Sequence, residues 1–224
     1  MKAFTKTLIA GSVMAASTVA MAEFSANVAM TTDYIFRGVS QNDNDPAIQG
    51  GFDYSHKSGL YAGVWASNVS GYAGSSMEMD LYLGWGGEIA GLSIDVGALR
   101  YDYPNTTNKD NVTDEYHFGV SKKFGSVSTG LTFNFSNDFY GAGDATYLDF
   151  GAEMPVTKSI TAAVHYGITD YDDNTRGTDY DDWSVGLSTE RDGFGFDLTY
   201  TDTDSGCTGS TCDGQFVFTI SKEL

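Results

Sequence analysis

Apolar side chains recur at every second position through most of this chain. Phe24, Ala26, Val28 and Met30 interleave with Ser25, Asn27, Ala29 and Thr31. Met77, Met79, Leu81, Leu83 and Trp85 interleave with Glu78, Asp80, Tyr82 and Gly84. The same alternation runs through Leu92–Ala98, Val127–Phe135, Ile160–Ile168 and Phe194–Tyr200. A period of two separates the side chains of a strand onto two faces, whereas a helix repeats near 3.6. With the turn signals between the runs, the pattern predicts about twelve strands. They lie near 24–37, 46–54, 59–69, 77–86, 92–103, 113–123, 126–136, 145–155, 159–170, 181–190, 193–203 and 214–222. The run 59–69 is ambiguous, because Tyr61 and Trp65 oppose Leu60, Val64 and Ala66.

The segments between these runs alternate in length. GVSQNDND, SGYAGSS, PNTTNKDN, NDFYGAGD, YDDNTRGTDY and the segment holding CTGSTC are long; SHKSG, GGEIAG, FGS, PVTKS and RDG are short. Charge divides the same way. Asp43, Asp45, Asp110, Asp144, Asp172, Asp173, Asp179, Asp204 and Asp213 fall in the long set, and Lys57, Lys122, Lys123, Lys158 and Arg191 in the short set. An all-β, antiparallel, up-and-down transmembrane barrel with both termini inside has this signature, with short periplasmic turns and long outer loops. A soluble, exported β-sandwich also alternates along its strands but gives no reason for the long-short parity. The 27 glycines and 14 tyrosines fit a barrel with aromatic girdles.

The first 22 residues stand apart. Met1 to Lys6 carries two lysines and no acid, Leu8 to Ala20 is apolar with only small interruptions, and Ala20-Met21-Ala22 is a small-x-small site. This predicts a Sec-type signal peptide over 1–22 and one barrel domain over 23–224. The apolar run is short for a membrane-spanning helix, and no long apolar run follows it. Losing Lys2 and Lys6 takes the formal net charge from −18 to −20. Such acidity argues against nucleic acid, whose phosphates it would repel. It does not imply disorder, because 41% hydrophobic and 14% aromatic content leaves much to bury. Cys207 and Cys212, in an oxidising compartment, predict a short disulfide loop rather than a zinc or redox pair, since the spacing is not C-x-x-C and no histidine is near.

The segment TTDYIFRGVSQND, Thr31 to Asp43, resembles the opening motif of the TorF-like porins of proteobacteria, a family formerly catalogued as conserved hypothetical proteins. Asp33, Tyr34, Phe36, Arg37, Gly38 and Ser40 carry the resemblance most sharply. It implies an exported outer-membrane barrel with a porin-like role. It also implies an aromatic last residue, whereas this chain ends Phe216, Phe218, Ile220, Lys222, Leu224, with the right parity but an aliphatic end.

If the apolar set faces lipid, the interleaved set lines a lumen. This assigns Asn27, Asp33, Arg37, Asp53, Glu78, Asp80, Asp95, Glu115, His117, Asp149, Glu153, His165, Asp182 and Asp197 to the interior. A surplus of carboxylates there favours cations, so the expectation is a channel for passive diffusion of small solutes with a cation bias. A side-chain-filled barrel with a structural or surface-interaction role is the alternative. Arg37, inward by parity at the outer end of the first strand, suits an ion pair with Asp33 or a ligand clamp. Arg100 shares the apolar face, where it meets lipid phosphate or snorkels to the interface. His56, His117 and His165 make no recognisable pair with a serine, and no G-x-S-x-G elbow exists, so no enzyme is expected. The acidic run Asp170–Asp182 lacks the EF-hand register, and no metal or cofactor is expected. The expected partners are outer-membrane lipid and lipopolysaccharide, with small solutes or cations; no feature specifies an oligomeric state. N-terminal sequencing of the mature protein is expected to begin at Glu23; an uncleaved N-terminus would refute the export signal.

Overall fold

The computed structural model describes residues 23–70, 74–104, 106, 112–172, 177–204 and 206–224. The signal peptide expected over 1–22, and Asp110, Asp173 and Asn174, lie outside the described residues. The elements are β1(Glu23–Thr31), β2(Ile35–Phe36), β3(Val39–Ser40), β4(Ala47–Ser55), β5(Leu60–Asn68), β6(Met77–Ile89), β7(Leu92–Asp102), β8(Thr113–Phe124), β9(Val127–Ser136), β10(Ala145–Pro155), β11(Ile160–Tyr171), β12(Tyr180–Arg191), β13(Phe194–Thr203) and β14(Gln215–Glu223). All except β2 and β3 form one closed antiparallel barrel of 12 strands, each paired with its chain neighbour. The ring closes where β14 returns to β1, from Asn27↔Glu223 to Thr31↔Thr219.

The packing is inverted relative to a water-soluble domain. Phe24, Phe216 and Leu83 are 81%, 69% and 63% exposed, and the outward residues of every barrel strand continue that apolar belt. The largest fully buried side chains are Glu78, Thr113, Asp182, Ser67 and Ser136, all facing the barrel interior. Contiguous apolar surface on this scale needs an apolar medium. The sandwich alternative fails because one closed sheet has replaced two facing ones.

Hairpin length follows turn chemistry. Arg191 pairs directly with Phe194, so two residues make the reversal. Asp192 and Gly193 sit at φ 55° and 76°, the left-handed pair of a type I′ turn, whose twist matches the flanking strands. The exposed Lys57, Lys122, Lys158 and Arg191 all lie at this short-turn end.

The first strand is shorter than the alternation predicts. It stops at Thr31 rather than near residue 37, and the chain turns into the barrel, making the small β2–β3 hairpin before β4 begins at Ala47. Alternation cannot show this, because an inward-folded loop and an inward-facing strand bury the same polar residues.

Tyrosines also depart from the girdle expectation. Tyr54, Tyr116, Tyr166 and Tyr200 are on the outer face, but Tyr61, Tyr82, Tyr101 and Tyr147 are on lumen parity. Several of these rings lie over glycines. A Cβ at Gly63 would overlap the Tyr82 ring, one at Gly84 or Gly97 would meet Tyr61, and one at Gly167 would meet Tyr147 and Asp182. The interleaved glycines thus make room for rings laid flat against the wall, and Tyr61 and Tyr82 reach Asp95 and Asp53 at 2.9 and 2.5 Å. Gly167→Val is expected to cost about 1–3 kcal/mol by overpacking. The check is a lower urea midpoint for heat-modifiable migration of the refolded barrel, and an unchanged midpoint would refute the packing role.

Candidate functional site

Residues 32–46 are the outer connection between β1 and β4, and they fold across the barrel mouth. The sequence first turns because Asp33 is held from two sides. Ser40 donates to its Oδ1 at 2.8 Å and Gln215 Nε2 to its Oδ2 at 3.0 Å. Burial raises the Asp33 pKa, opposed by these hydrogen bonds. Tyr34 then points to the wall made by β5 and β6, where its ring meets Trp65 edge-on at 5.2 Å and its hydroxyl donates to Glu78 at 3.3 Å. Phe36 packs against Tyr101 at 5.6 Å.

Phe36 pairs with Val39, so Arg37 and Gly38 form the hairpin tip, at φ 50° and 77°. The tip is driven against the wall. A Cβ at Gly38 would lie 2.6 Å from both Asp182 Cβ and Thr203 Cγ2. Only glycine combines this left-handed backbone with so close an approach. Arg37 extends sideways, its Nη2 donating to Glu115 Oε2 at 2.6 Å, with both side chains only 6% exposed. Its guanidinium lies 4.1 Å from the Tyr147 ring centroid, 4.8 Å from Phe36 and 5.2 Å from Phe139. Burial acts to lower the Arg37 pKa, but Glu115 outweighs it and the net direction is upward. The arginine is therefore a permanent charge in the mouth.

The disulfide Cys207–Cys212 braces this loop from outside. Ser40 N–H donates to the Thr211 carbonyl at 2.8 Å, and Asn44 Nδ2 to that of Ser210 at 3.3 Å. The bridge thus constrains the short segment on which the inserted loop leans.

The lumen below is acidic and graded in burial. In its outer half, Glu78, Asp80, Glu115, Asp149 and Asp182 are buried. Asp149 and Asp182 flank His165, 3.0 Å from its Nδ1 and 2.8 Å from its Nε2. Tyr147 donates to Asp182 at 3.1 Å, which ties this cluster to the Arg37 stack. Nearer the short-turn end, Asp53, Asp95, His117 and Asp197 are only partly buried, and Glu153 is exposed. His117 Nε2 is 2.5 Å from Asp95 and 3.3 Å from Tyr61. Asn27 is on the same face.

The structure thus places the sequence-assigned residues on the interior side, but by two routes. Strand parity places all of them except Asp33 and Arg37, which reach the interior on the inserted loop. Arg37 pairs with Glu115, not Asp33, because the turn aims the two side chains apart. Arg100 is on the outer face as parity requires, but makes a bidentate pair with Asp114 of β8, at 2.7 Å for each bond. The tyrosines that orient the carboxylates escape a search for charge alone; their signal was the Tyr-Gly cross-strand placement. His117 and His165 are engaged by carboxylates and tyrosines, and the contact between His56 and Ser58 lies inside a short turn. Among the described residues, no cluster of three or more His, Cys, Asp or Glu suits a metal ion.

The sequence matches the model of a family described as a bacterial protein of unknown function, Gcw_chp, over residues 15–223. No curated protein matches it. Among solved structures, the NanC porin superposes with a TM-score of 0.60 at 9% identity, over 88% of this chain and 97% of that one. An outer membrane channel from Pseudomonas putida F1 gives 0.55 at 10% identity, over 92% of this chain and 96% of that one. At these identities the likeness is one of fold: a porin-like barrel.

Removing one partner of a buried ion pair costs about 3–5 kcal/mol. Arg37→Ala is therefore expected to free residues 33–42, read as faster amide hydrogen exchange there with the barrel strands unchanged. Protection equal to wild type would refute the latch. Cys207→Ser with Cys212→Ser is expected to raise exchange at Ser40 in the same direction but less.

Proposed function

The chain belongs to the Gcw_chp family of bacterial proteins, and we propose that it is an outer-membrane channel for passive diffusion of small, preferably cationic, solutes. Export by the Sec pathway, with residues 1–22 removed and residues 23–224 forming the barrel, is part of this reading. The resemblance of Thr31–Asp43 to the TorF-like porins points the same way, as do the channel folds that the barrel resembles.

The observation that carries the proposal is the charge of the interior. Asp53, Glu78, Asp80, Asp95, Glu115, Asp149, Asp182 and Asp197 line one tube, against Arg37, His117 and His165. At physiological salt, potentials decay over about 8 Å, so the fields of carboxylates across a narrow lumen overlap. Such a lumen concentrates cations and repels anions. The bare outer belt fits lipid, with lipopolysaccharide facing the acidic loops. No catalytic role is part of this reading.

A second reading, a non-conducting structural barrel, draws on the dry outer half, where Glu78, Thr113 and Asp182 are 1%, 0% and 2% exposed. Planar-bilayer recording of the refolded barrel under a KCl gradient separates the two. The expected result is conductance with a reversal potential on the cation side. Asp53→Asn, Asp95→Asn and Asp197→Asn together are expected to move that potential toward zero, and raising the salt should do the same. Anion preference, or no conductance, would overturn the channel reading.

A further inference from the structure

Arg37 occupies a receptor built almost wholly from the barrel wall. Glu115 of β8 accepts from it, and Tyr101 of β7 donates to the other oxygen of that carboxylate at 3.1 Å, fixing its plane. Tyr147 of β10 supplies the near ring face, and Phe139 from the β9–β10 connection a second. Only Phe36 comes from the segment that carries Arg37. An oriented carboxylate beside stacked rings is what recognises a planar, delocalised cation. The guanidinium held there arrives on a loop tip, not on a strand, so it can leave without opening the barrel's backbone ladder.

A second observation concerns what Arg37 does not satisfy. Glu78 and Asp80 face each other, and their Oε2 and Oδ1 are buried with no donor from a third residue; Asp95 Oδ2, nearer the short-turn end, is buried without a partner. Glu78 is 1% exposed. Buried carboxylate oxygens without donors are costly. Glu78 and Asp80 share the packed outer half with the Arg37 receptor, and Asp95 lies beyond it toward the short-turn end.

We propose that the Arg37 receptor is the outer recognition site for small solutes bearing a guanidinium group, with Arg37 as the resident stand-in that such a solute displaces. The proposal rests on the channel reading above. An entering guanidinium exchanges with the Arg37 head on Glu115 and Tyr147, with the carboxylates of Glu78 and Asp80 in the same outer half and Asp95 beyond them toward the short-turn end. A primary ammonium carries the same charge but cannot lie flat on Tyr147 while donating in its plane to Glu115. The site therefore selects by shape of the cation and not only by its sign.

The test is uptake of labelled arginine and lysine into proteoliposomes holding the full mature barrel, with a neutral sugar of similar size alongside. The expected result is arginine uptake about tenfold above lysine at low solute, with the ratio falling to about one in Glu115→Gln. Equal uptake of arginine and lysine by wild type overturns the proposal and leaves the channel reading standing. Sugar, arginine and lysine all excluded overturns both. A second arm does not depend on flux or on Glu115→Gln folding: calorimetry of arginine and lysine on detergent-solubilised Arg37→Ala, whose receptor is vacated. Arginine bound at least tenfold tighter supports the site, and equal affinities overturn it.

Discussion

The structure depends on one seam. A sheet surrounded by hydrocarbon has no water to satisfy an open edge, so every backbone donor and acceptor must be met by another strand. That requirement falls on β1 and β14, which must find each other across the full length of the chain. Their ladder runs over five residue pairs, against nine between β1 and β4. Side chains extend it. Thr219 donates to Thr31 at 2.9 Å, Thr32 Oγ1 accepts from Phe218 N–H at 3.0 Å, and Leu224 N–H reaches the Ala26 carbonyl at 2.8 Å. The seam's outer end is also where the inserted loop departs, so closure and plugging are made by adjoining residues.

Closure with an apolar exterior leaves the polar residues only the inside. The barrel then has to accommodate many acids with few bases. It does so with tyrosines, whose hydroxyls donate to carboxylates without adding charge, and with glycines, which let the rings lie close to the wall. Where tyrosine is insufficient, His165 is set between two aspartates and Arg37 is brought in from outside the sheet. This arrangement gives the lumen a division of labour. Its long-loop half is packed and cross-linked by hydrogen bonds; the short-turn half keeps partly solvated carboxylates.

The inserted loop covers that interior at the long-loop end. Its contacts reach Trp65 and Glu78 on one side, Asp182 and Thr203 on the other, and Gln215 next to the seam. A bar fixed at so many points is rigid as a whole, yet apart from backbone hydrogen bonds at Thr32, Ser40 and Gln41 it is held by side chains. Release of the loop beyond Thr32 would leave the barrel's backbone ladder intact.

The amino-acid sequence by itself determined the barrel, because lipid outside and polar side chains inside impose a period of two, and because short and long connections must alternate when both ends lie on one side. Phe216-Val217-Phe218-Thr219-Ile220 shows its two faces without any structure, and so do Glu78 and Asp80 between Met77, Met79 and Leu81. The inside assignment of Asp149, His165 and Asp182 was legible for the same reason. Their mutual contact was not: parity reports a face, while neighbours along that face are set by the stagger between strands. The path of residues 32–46 was invisible for a related cause. Asp33 and Arg37 are inward whether the chain continues as a strand or folds into the mouth, and only the turn at Arg37-Gly38, pressed on Asp182, decides it. The partner of Arg37 follows from that turn, since Glu115 lies 78 residues away and is brought beside it by the curvature of the closed sheet.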